Sequence, residues 1–214
     1  MINQKIKNMF SIKDHWLENI SIVTSPHYYE RPYPSDISLL VIHNISLPPG
    51  EFGGHFIEDF FQGQLTSTCH PYFDEIRDMR VSAHCLIKRD GSIVQFVPFD
   101  KRAWHAGVSK FGDREQCNDF SIGIELEGTD EFPYTYFQYK ALTLVTLALM
   151  ENYPKLKIDR IVGHEHIAPG RKADPGIAFS WERYREYLLQ PQLLEHQDIV
   201  VEADTAAAPI TNDE

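Results

Sequence analysis

The apolar and polar positions of this chain first separate into strand-like stretches. Residues 37–42 form a nearly unbroken apolar run, which predicts a strand buried on both faces. Residues 121–128 alternate strictly, with Ile122, Ile124 and Leu126 on one face and Ser121, Gly123, Glu125 and Glu127 on the other. Residues 81–87 and 92–97 flank Asp90-Gly91, a tight-turn signal, and therefore predict a hairpin.

Helical periodicity is clearest after Thr135, which forms a capping box with Gln138. The apolar stripe that follows contains Phe137, Ala141, Leu144, Val145, Ala148 and Leu149, and Asn152-Tyr153-Pro154 ends it. A last helix begins after Ser180, with Trp181, Tyr184 and Leu188 on its buried side, and Pro191 ends it. A short helix is also predicted at 55–61. Strands and helices together indicate an α/β protein.

Composition fits one domain followed by an acidic tail. With 214 residues, 43% of them hydrophobic and 24% charged, the chain is long enough for one well-filled core. Much of the net charge of -11 lies from Glu195 onward, where six acidic residues and no Lys or Arg occur. We therefore expect a domain at 1–190 and a disordered tail at 191–214. A basic surface for nucleic acid is not indicated.

Segments for export or for membrane insertion are not evident either. Residues 1–20 are interrupted by polar and charged side chains, and no later run reaches the length of a membrane span. Cys69, Cys85 and Cys117 are odd in number and lack a Cys-x-x-Cys pair, which favours reduced thiols. We therefore expect a cytoplasmic protein, a monomer, that does not act on a membrane.

Residues 163–176 carry several side chains that could bind a metal or act in catalysis. Two Pro/Gly pairs keep the backbone of this stretch irregular after a short strand-like run. The stretch carries His164, His166, Lys172 and Asp174, and imidazole and carboxylate groups are ordinary ligands of Zn²⁺. His43, at the end of the first buried strand, is the best candidate for a further ligand. Two ligand sets remain open, namely His43, His164 and Asp174, or His43, His164 and His166.

Other polar side chains allow two interpretations each. The small residues beside Glu125 leave room above its strand, so its carboxylate is a candidate general base, although an ordinary solvent-facing strand would look similar. His84 either lines a cleft or is a hydrogen-bonded core histidine. Trp104, next to His105, either stacks on a sugar ring or closes the edge of the core.

Five ordered motifs give these residues a context. They are Val41-Ile42-His43-Asn44, Arg80-Val81-Ser82-Ala83-His84, Trp104-His105-Ala106-Gly107, residues 117–125, and Gly163-His164 through Lys172-Ala173-Asp174-Pro175-Gly176. From about Pro26 to about Leu189 the chain closely resembles the cytoplasmic 1,6-anhydro-N-acetylmuramyl-L-alanine amidases (AmpD-type). That family has the zinc amidase/peptidoglycan-recognition fold.

The resemblance implies a central mixed β-sheet flanked by helices and one Zn²⁺ ion held by His43, His164 and Asp174. It implies Glu125 as general base and Lys172 as the group that stabilises the transition state. The implied reaction is hydrolysis of the amide between anhydro-N-acetylmuramic acid and L-alanine of a muropeptide. It would serve cell-wall recycling and, in some bacteria, control of β-lactamase induction.

We expect the muropeptide to contact Asn44, Arg80, Trp104 and His105, with Arg80 a candidate for the carboxylate of the peptide. The chain departs from the family pattern at Gln116, where an Arg is usual, and this puts one carboxylate contact in doubt. Glu165-His166 also replaces a common Cys-Asn pair. The alternatives are a module that binds muropeptides without cutting them, and a lytic amidase that acts on intact cell wall.

Overall fold

A six-stranded mixed sheet forms the centre of the protein, as predicted. The computed structural model describes residues 10–66 and 69–195. In spatial order the strands of the sheet are β12 (Ile161–Gly163), β5 (Leu39–Ile45), β11 (Ser121–Glu127), β6 (Cys85–Ile87), β7 (Ile93–Gln95) and β3 (Ser21–Ile22). All neighbours pair in parallel except β6 and β7, which form the predicted hairpin.

Six shorter strands form antiparallel pairs around this sheet. They are β1 (Ile12–Lys13) with β2 (Trp16–Leu17), β4 (Tyr28–Glu30) with β8 (Lys101–Ala103), and β9 (Lys110–Phe111) with β10 (Arg114–Glu115). At two or three residues each, they are too short to show a period in the sequence. Their positions are set by contacts with the rest of the chain.

Five α-helices occur in the described part of the chain: α1 (Phe56–Gln62), α2 (Phe73–Ile76), α3 (Tyr136–Asn152), α4 (His164–Ile167) and α5 (Trp181–Leu189). The predicted capping box of Thr135 and Gln138 is present at the start of α3. Ser180 accepts a hydrogen bond from the backbone N–H of Arg183 and caps α5. The assignment of Phe137 to the buried stripe is wrong, because its side chain is 44% exposed.

The two faces of the sheet bury different surfaces. On one face, Ile122, Ile124 and Leu126 join the main hydrophobic core together with residues of α3 and α5, which confirms the predicted alternation of β11. The opposite face carries two smaller apolar clusters, one built around α1 and the hairpin and one around Phe120 and Ile167. His43 of β5 and the polar side chains of β11 lie on this second face.

The start of the predicted acidic tail is packed against the domain. Leu194 is 3% exposed and belongs to the main core. Its carbonyl accepts a hydrogen bond from the hydroxyl of Tyr136 at 2.6 Å. Residues 191–195 therefore contact the domain, and the remainder of the predicted tail, 196–214, lies outside the described residues. None of the described helices is long and apolar enough to span a bilayer.

A buried arginine ties the N-terminal segment to the sheet. Arg31 is 3% exposed and donates hydrogen bonds to the carbonyls of Phe99, Asn118, Asp119 and Ser121. Burial lowers the pKa of its guanidinium to about 10, so that it stays charged at neutral pH. One guanidinium nitrogen lies 3.1 Å from the ring of His84, and we call these two residues the arginine–histidine cluster.

His84 is a core histidine, the second of its two sequence interpretations. Its Nδ1 accepts a hydrogen bond from the backbone N–H of Gly123 at 3.0 Å. The proton of the neutral ring must then be on Nε2, which donates to the carbonyl of Lys101 at 3.0 Å. Burial, followed by the charge of Arg31, lowers the pKa of His84 to about 3.

Candidate metal centre

Parallel strand pairing brings the candidate ligands to one edge of the sheet. In the register of β5 and β11, His43 lies opposite Glu125. In the register of β5 and β12, Gly163 lies opposite Ile42, so that His164 follows directly where β12 ends. Functional side chains of α/β sheets collect at the carboxyl ends of parallel strands, and here three neighbouring strands end together.

His43, His164 and Asp174 form a compact group that we call the ligand cluster. His43 Nδ1 and His164 Nδ1 lie 3.0 Å apart, and each is within 3.0 Å of Asp174 Oδ2. Both imidazoles are buried, whereas the aspartate side chain is 13% exposed. These are the only three His, Cys, Asp or Glu residues of the described chain whose ligand atoms gather closely enough to hold one metal ion.

The hydrogen bonding of the cluster fits a bound cation. His164 Nε2 lies 3.0 Å from the carbonyl of Ala106, which can only accept, so His164 carries its proton on Nε2. Its Nδ1 therefore directs a lone pair towards His43 Nδ1 and the oxygen of Asp174. A divalent ion placed among these atoms would accept a lone pair from each of them, and two imidazoles with one carboxylate suit catalytic zinc.

His166 is not part of this cluster. The short helix α4 begins at His164, where the sequence predicted an irregular loop, and it turns the next imidazole away. His166 Nδ1 accepts a hydrogen bond from the backbone N–H of Gly163, and its side chain is 51% exposed and packs edge-on against Trp181. Of the two ligand sets that spacing left open, the structure brings together the one with Asp174.

The protonation of the cluster suits metal binding. Burial lowers the pKa of His43 to about 4, although hydrogen bonding to Asp174 opposes this shift. Burial disfavours the charged form of Asp174, but its contacts with His164 and His43 outweigh that effect and hold its pKa below the ordinary value. At neutral pH the cluster therefore offers a neutral imidazole of His43 and a carboxylate, the forms that bind metal.

The two glutamates on the polar face of β11 have different surroundings. Glu125 is 8% exposed and lines the cleft beside the cluster, and one of its carboxylate oxygens has no hydrogen-bond partner in the described structure. Burial, reinforced by the charge of Asp174, raises its pKa well above the ordinary value. Glu127 instead accepts hydrogen bonds from the backbone N–H groups of Gly53 and Arg89.

A cleft of about 520 Å³ opens above the ligand cluster. Lys172 lines it next to Asp174, and its charge acts on Glu125 by lowering the pKa of that carboxyl. Apolar side chains of α1 and of the segment after it form the opposite wall, among them Phe60, Phe61, Tyr72, Ile76 and Met79. The cleft thus combines the ligand cluster, a carboxyl group and a lysine side chain with an apolar wall.

The predicted substrate contacts are distributed unevenly around this cleft. Asn44 lines it, but its amide nitrogen donates to Asp130 and to the carbonyl of Pro175. Trp104 forms part of the wall, half-buried and stacked on His27 at 5.8 Å between ring centroids. Arg80 is absent from the described lining of the cleft and borders an adjoining hollow that shares Trp104 with it.

His105 occupies the room that the sequence placed above β11. A Cβ atom at Gly123 would come within 2.4 Å of the His105 ring, so this glycine makes space for an imidazole. His105 Nε2 lies 3.1 Å from Ser121 Oγ, and Nδ1 lies 2.9 Å from His43 Nε2. The small residues of β11 therefore make room for a histidine that lines the cleft, and Glu125 is the side chain of β11 that also lines it.

The described cysteines lie outside the ligand cluster. Cys85 and Cys117 are buried without a disulfide, and burial raises the pKa of both thiols. Cys69 is exposed. Thiol chemistry is therefore not built into this site.

Comparison with known proteins identifies the family. The sequence profile described as N-acetylmuramoyl-L-alanine amidase matches residues 33–177. A 1,6-anhydro-N-acetylmuramyl-L-alanine amidase, AmpD, of Haemophilus influenzae is 58% identical over 181 residues, which cover 85% of this chain and 97% of the relative. The chain belongs to the N-acetylmuramoyl-L-alanine amidase family, and the expectation of an enzyme of that class is confirmed.

Solved structures agree with this assignment. The crystal structure of a selenomethionine derivative of AmpD superposes with a TM-score of 0.79 at 58% identity, covering 81% of this chain and 97% of the other. The amidase AmiD of Escherichia coli, solved with the substrate anhydro-N-acetylmuramic acid-L-Ala-D-gamma-Glu-L-Lys, has a TM-score of 0.52 at 26% identity, covering 84% and 65%. The predicted fold, a central mixed sheet flanked by helices, is confirmed and is shared with these amidases.

Proposed function

We propose that this enzyme hydrolyses the amide bond between 1,6-anhydro-N-acetylmuramic acid and the L-alanine of a muropeptide, in the cytoplasm, during recycling of peptidoglycan. The observation that carries the proposal is the ligand cluster of His43, His164 and Asp174 beside Glu125 in one cleft. The reaction and substrate that relatives are named for support it. Control of β-lactamase induction would follow in bacteria that sense the uncleaved muropeptide.

The ion that the cluster would hold is Zn²⁺, one per chain. When bound, zinc supplies Lewis acidity, which polarises a carbonyl group and makes water easier to deprotonate. The protein contributes three ligands and leaves a further coordination position for the reaction, as catalytic zinc sites do. His43, His164 and Asp174 would hold the ion without any other residue of the described chain.

Glu125 is the proposed general base. Its carboxylate takes a proton from the water that attacks the lactyl carbonyl, and then delivers that proton to the nitrogen of L-alanine as the C–N bond breaks. The water thus supplies OH to the acid product and H to the amine product. The raised pKa of Glu125 suits this proton transfer, while Lys172 and a divalent ion both favour the carboxylate form that begins the cycle.

Lys172 is the proposed electrostatic stabiliser of the transition state. Lys172 lines the cleft two residues before Asp174, and its ammonium group is proposed to lie beside the carbonyl oxygen on which negative charge grows. One such donor is typically worth about 3 kcal/mol in the transition state. Trp104 and Asn44 border the same cleft and are the proposed contacts for the sugar and peptide parts of the substrate.

We further propose that the enzyme is a monomer and that its catalytic unit extends beyond residue 190 to include Leu194. The buried position of Leu194 supports this later boundary over one at 190. Truncation after Gln190 removes a buried leucine and is expected to lower the stability by about 2–5 kcal/mol.

The direct test offers the purified zinc-loaded protein an anhydro-muropeptide and, separately, intact sacculi, and identifies the products by mass spectrometry. The expected result is a free stem peptide and 1,6-anhydro-N-acetylmuramic acid from the first, with little release from the second. Binding of the muropeptide without cleavage would favour a recognition module. Faster release from sacculi would favour a lytic amidase, and either result would overturn the proposal.

A further inference from the structure

We propose that His105 is a positioning residue that fixes the ring of His43 for metal binding. This inference rests on the proposed zinc function of the ligand cluster. It starts from one contact: His105 Nδ1 lies 2.9 Å from His43 Nε2, the ring nitrogen of His43 that points away from Asp174. The two rings meet edge-on, at 80° between their planes.

The direction of this hydrogen bond follows from the role of His43. A neutral imidazole that binds a metal through Nδ1 carries its proton on Nε2. His43 Nε2–H then donates to His105 Nδ1, which must accept. His105 in turn carries its proton on Nε2 and donates it to Ser121 Oγ at 3.1 Å. A ligand histidine whose second nitrogen is held in this way has its tautomer and ring orientation fixed.

The surroundings of His105 restrict the position of its ring. Gly123 lies directly beneath the ring, where a methyl group would come within 2.4 Å of Cγ. The backbone N–H groups of His105 and Ala106 both donate to Asn118 Oδ1, at 3.2 and 2.8 Å. Strand β11 therefore supplies, on one face, both the floor for this imidazole and the hydrogen-bond acceptor at its far end.

The same loop also holds the second ligand histidine. His164 Nε2 lies 3.0 Å from the carbonyl of Ala106, the residue after His105. Arg171 donates to that carbonyl at 2.6 Å and to the carbonyl of Val108 at 2.7 Å. Consecutive residues thus orient both ligand imidazoles, one by a side chain and one by the backbone.

The first test measures zinc affinity by competition with a chromophoric chelator, without substrate. His105→Leu removes the acceptor, and about 10- to 100-fold weaker zinc binding is expected. His105→Asn is the matched control, because its Oδ1 can accept where Nδ1 did, and it should recover most of the loss. Melting temperatures of the metal-free variants report any change in folding. Equal losses in both variants would show a packing role and overturn the proposal.

Gly123→Ala independently tests the packing of the His105 ring against Gly123. The added methyl group should displace the ring and weaken zinc binding as His105→Leu does. In a His105→Ala background the ring is gone, so Gly123→Ala should change zinc affinity less than about twofold. Additive effects of Gly123→Ala and His105→Ala on zinc affinity would contradict the proposal that Gly123 acts by positioning His105.

Nitrogen NMR of the histidine-labelled wild-type protein decides the tautomers even if a variant does not fold. In the zinc-loaded protein His43 and His105 should both carry their proton on Nε2. A proton on Nδ1 of His105, or unchanged zinc affinity in folded His105→Leu, would overturn the positioning role alone. Failure of the wild-type protein to bind zinc would overturn the proposed function, and this inference with it.

Discussion

Two neighbouring polar clusters, on either side of Gly123, use histidine in opposite ways. In the arginine–histidine cluster, both ring nitrogens of His84 are bonded to backbone groups, so its polar atoms are satisfied within the described fold. In the ligand cluster, His43 and His164 turn nitrogen atoms towards each other and towards a carboxylate. The rings of His84 and His105 are only 5.8 Å apart.

The difference teaches how a buried histidine can be assigned. The backbone partners of His84 belong to separate segments of the chain, which the ring holds together. Loss of this ring should therefore lower the free energy of unfolding more than it lowers activity. The converging atoms of the ligand cluster are those that a metal ion would share, so loss of a ring there should reduce metal binding. Substitutions in the two regions should therefore separate stability from chemistry.

The largest effect is expected for Glu125→Gln, which keeps the shape of the side chain but removes the proposed base. Turnover should fall by about 10²- to 10⁴-fold, with zinc affinity retained. Glu127→Gln is the matched control on the same face of β11. Because Glu127 accepts from two backbone N–H groups, this variant should lose stability and keep its turnover per folded molecule. Reversed effects in steady-state kinetics would reassign the base to Glu127.

Arg31→Met tests whether the arginine–histidine cluster contributes to stability and not to metal binding. Several carbonyls would lose a buried donor, at about 1–3 kcal/mol each before relaxation. We expect the free energy of unfolding to fall by about 3 kcal/mol or more in urea denaturation. Zinc affinity of the folded fraction should be unchanged, and a specific loss of zinc binding would mean that the two clusters are coupled.

Lys172→Met tests the proposed stabilisation of the transition state without replacing a residue of the ligand cluster. Loss of the ammonium group should lower kcat by about 100-fold, the equivalent of about 3 kcal/mol in the transition state. KM and zinc affinity should change little. A higher KM with unchanged kcat would make Lys172 a binding residue instead.

The last prediction concerns acid stability. The pKa of His84 is about 3 in the folded protein, against about 6.5 when the chain is unfolded. Below pH 6.5, His84 binds a proton in the unfolded chain but not in the folded protein. The free energy of unfolding therefore falls by about 1.4 kcal/mol for each pH unit by which the pH is lowered. The loss continues down to about pH 3. In His84→Asn, chemical denaturation should show a slope smaller by up to one proton, and an equal slope would contradict a neutral buried His84.

Much of this arrangement could be predicted from local patterns. The alternation of 121–128 identified the core face of β11 and placed Glu125 on the other face, because side-chain direction in a strand depends only on neighbours. The capping box at Thr135 and the hairpin at Asp90-Gly91 are equally local. The fold class followed from these elements.

Long-range features could not be predicted in this way. The choice between Asp174 and His166 depended on α4, a single helical turn whose residues carry no period. Gly123 indicated open space, but the ring that fills it comes from a loop sixteen residues or more away in the chain. Arg31 belonged to an apparently extended segment, and its role depends on four carbonyls that are distant in sequence.

The most direct test of the central claim is a zinc-binding measurement on four proteins: wild type, His43→Ala, Asp174→Ala and His166→Ala. Equilibrium dialysis with metal analysis should find one tightly bound zinc per chain in the wild type and in His166→Ala. Affinity should be at least about 100-fold weaker in the other two variants. Undiminished binding in Asp174→Ala, or loss of binding in His166→Ala, would contradict the account.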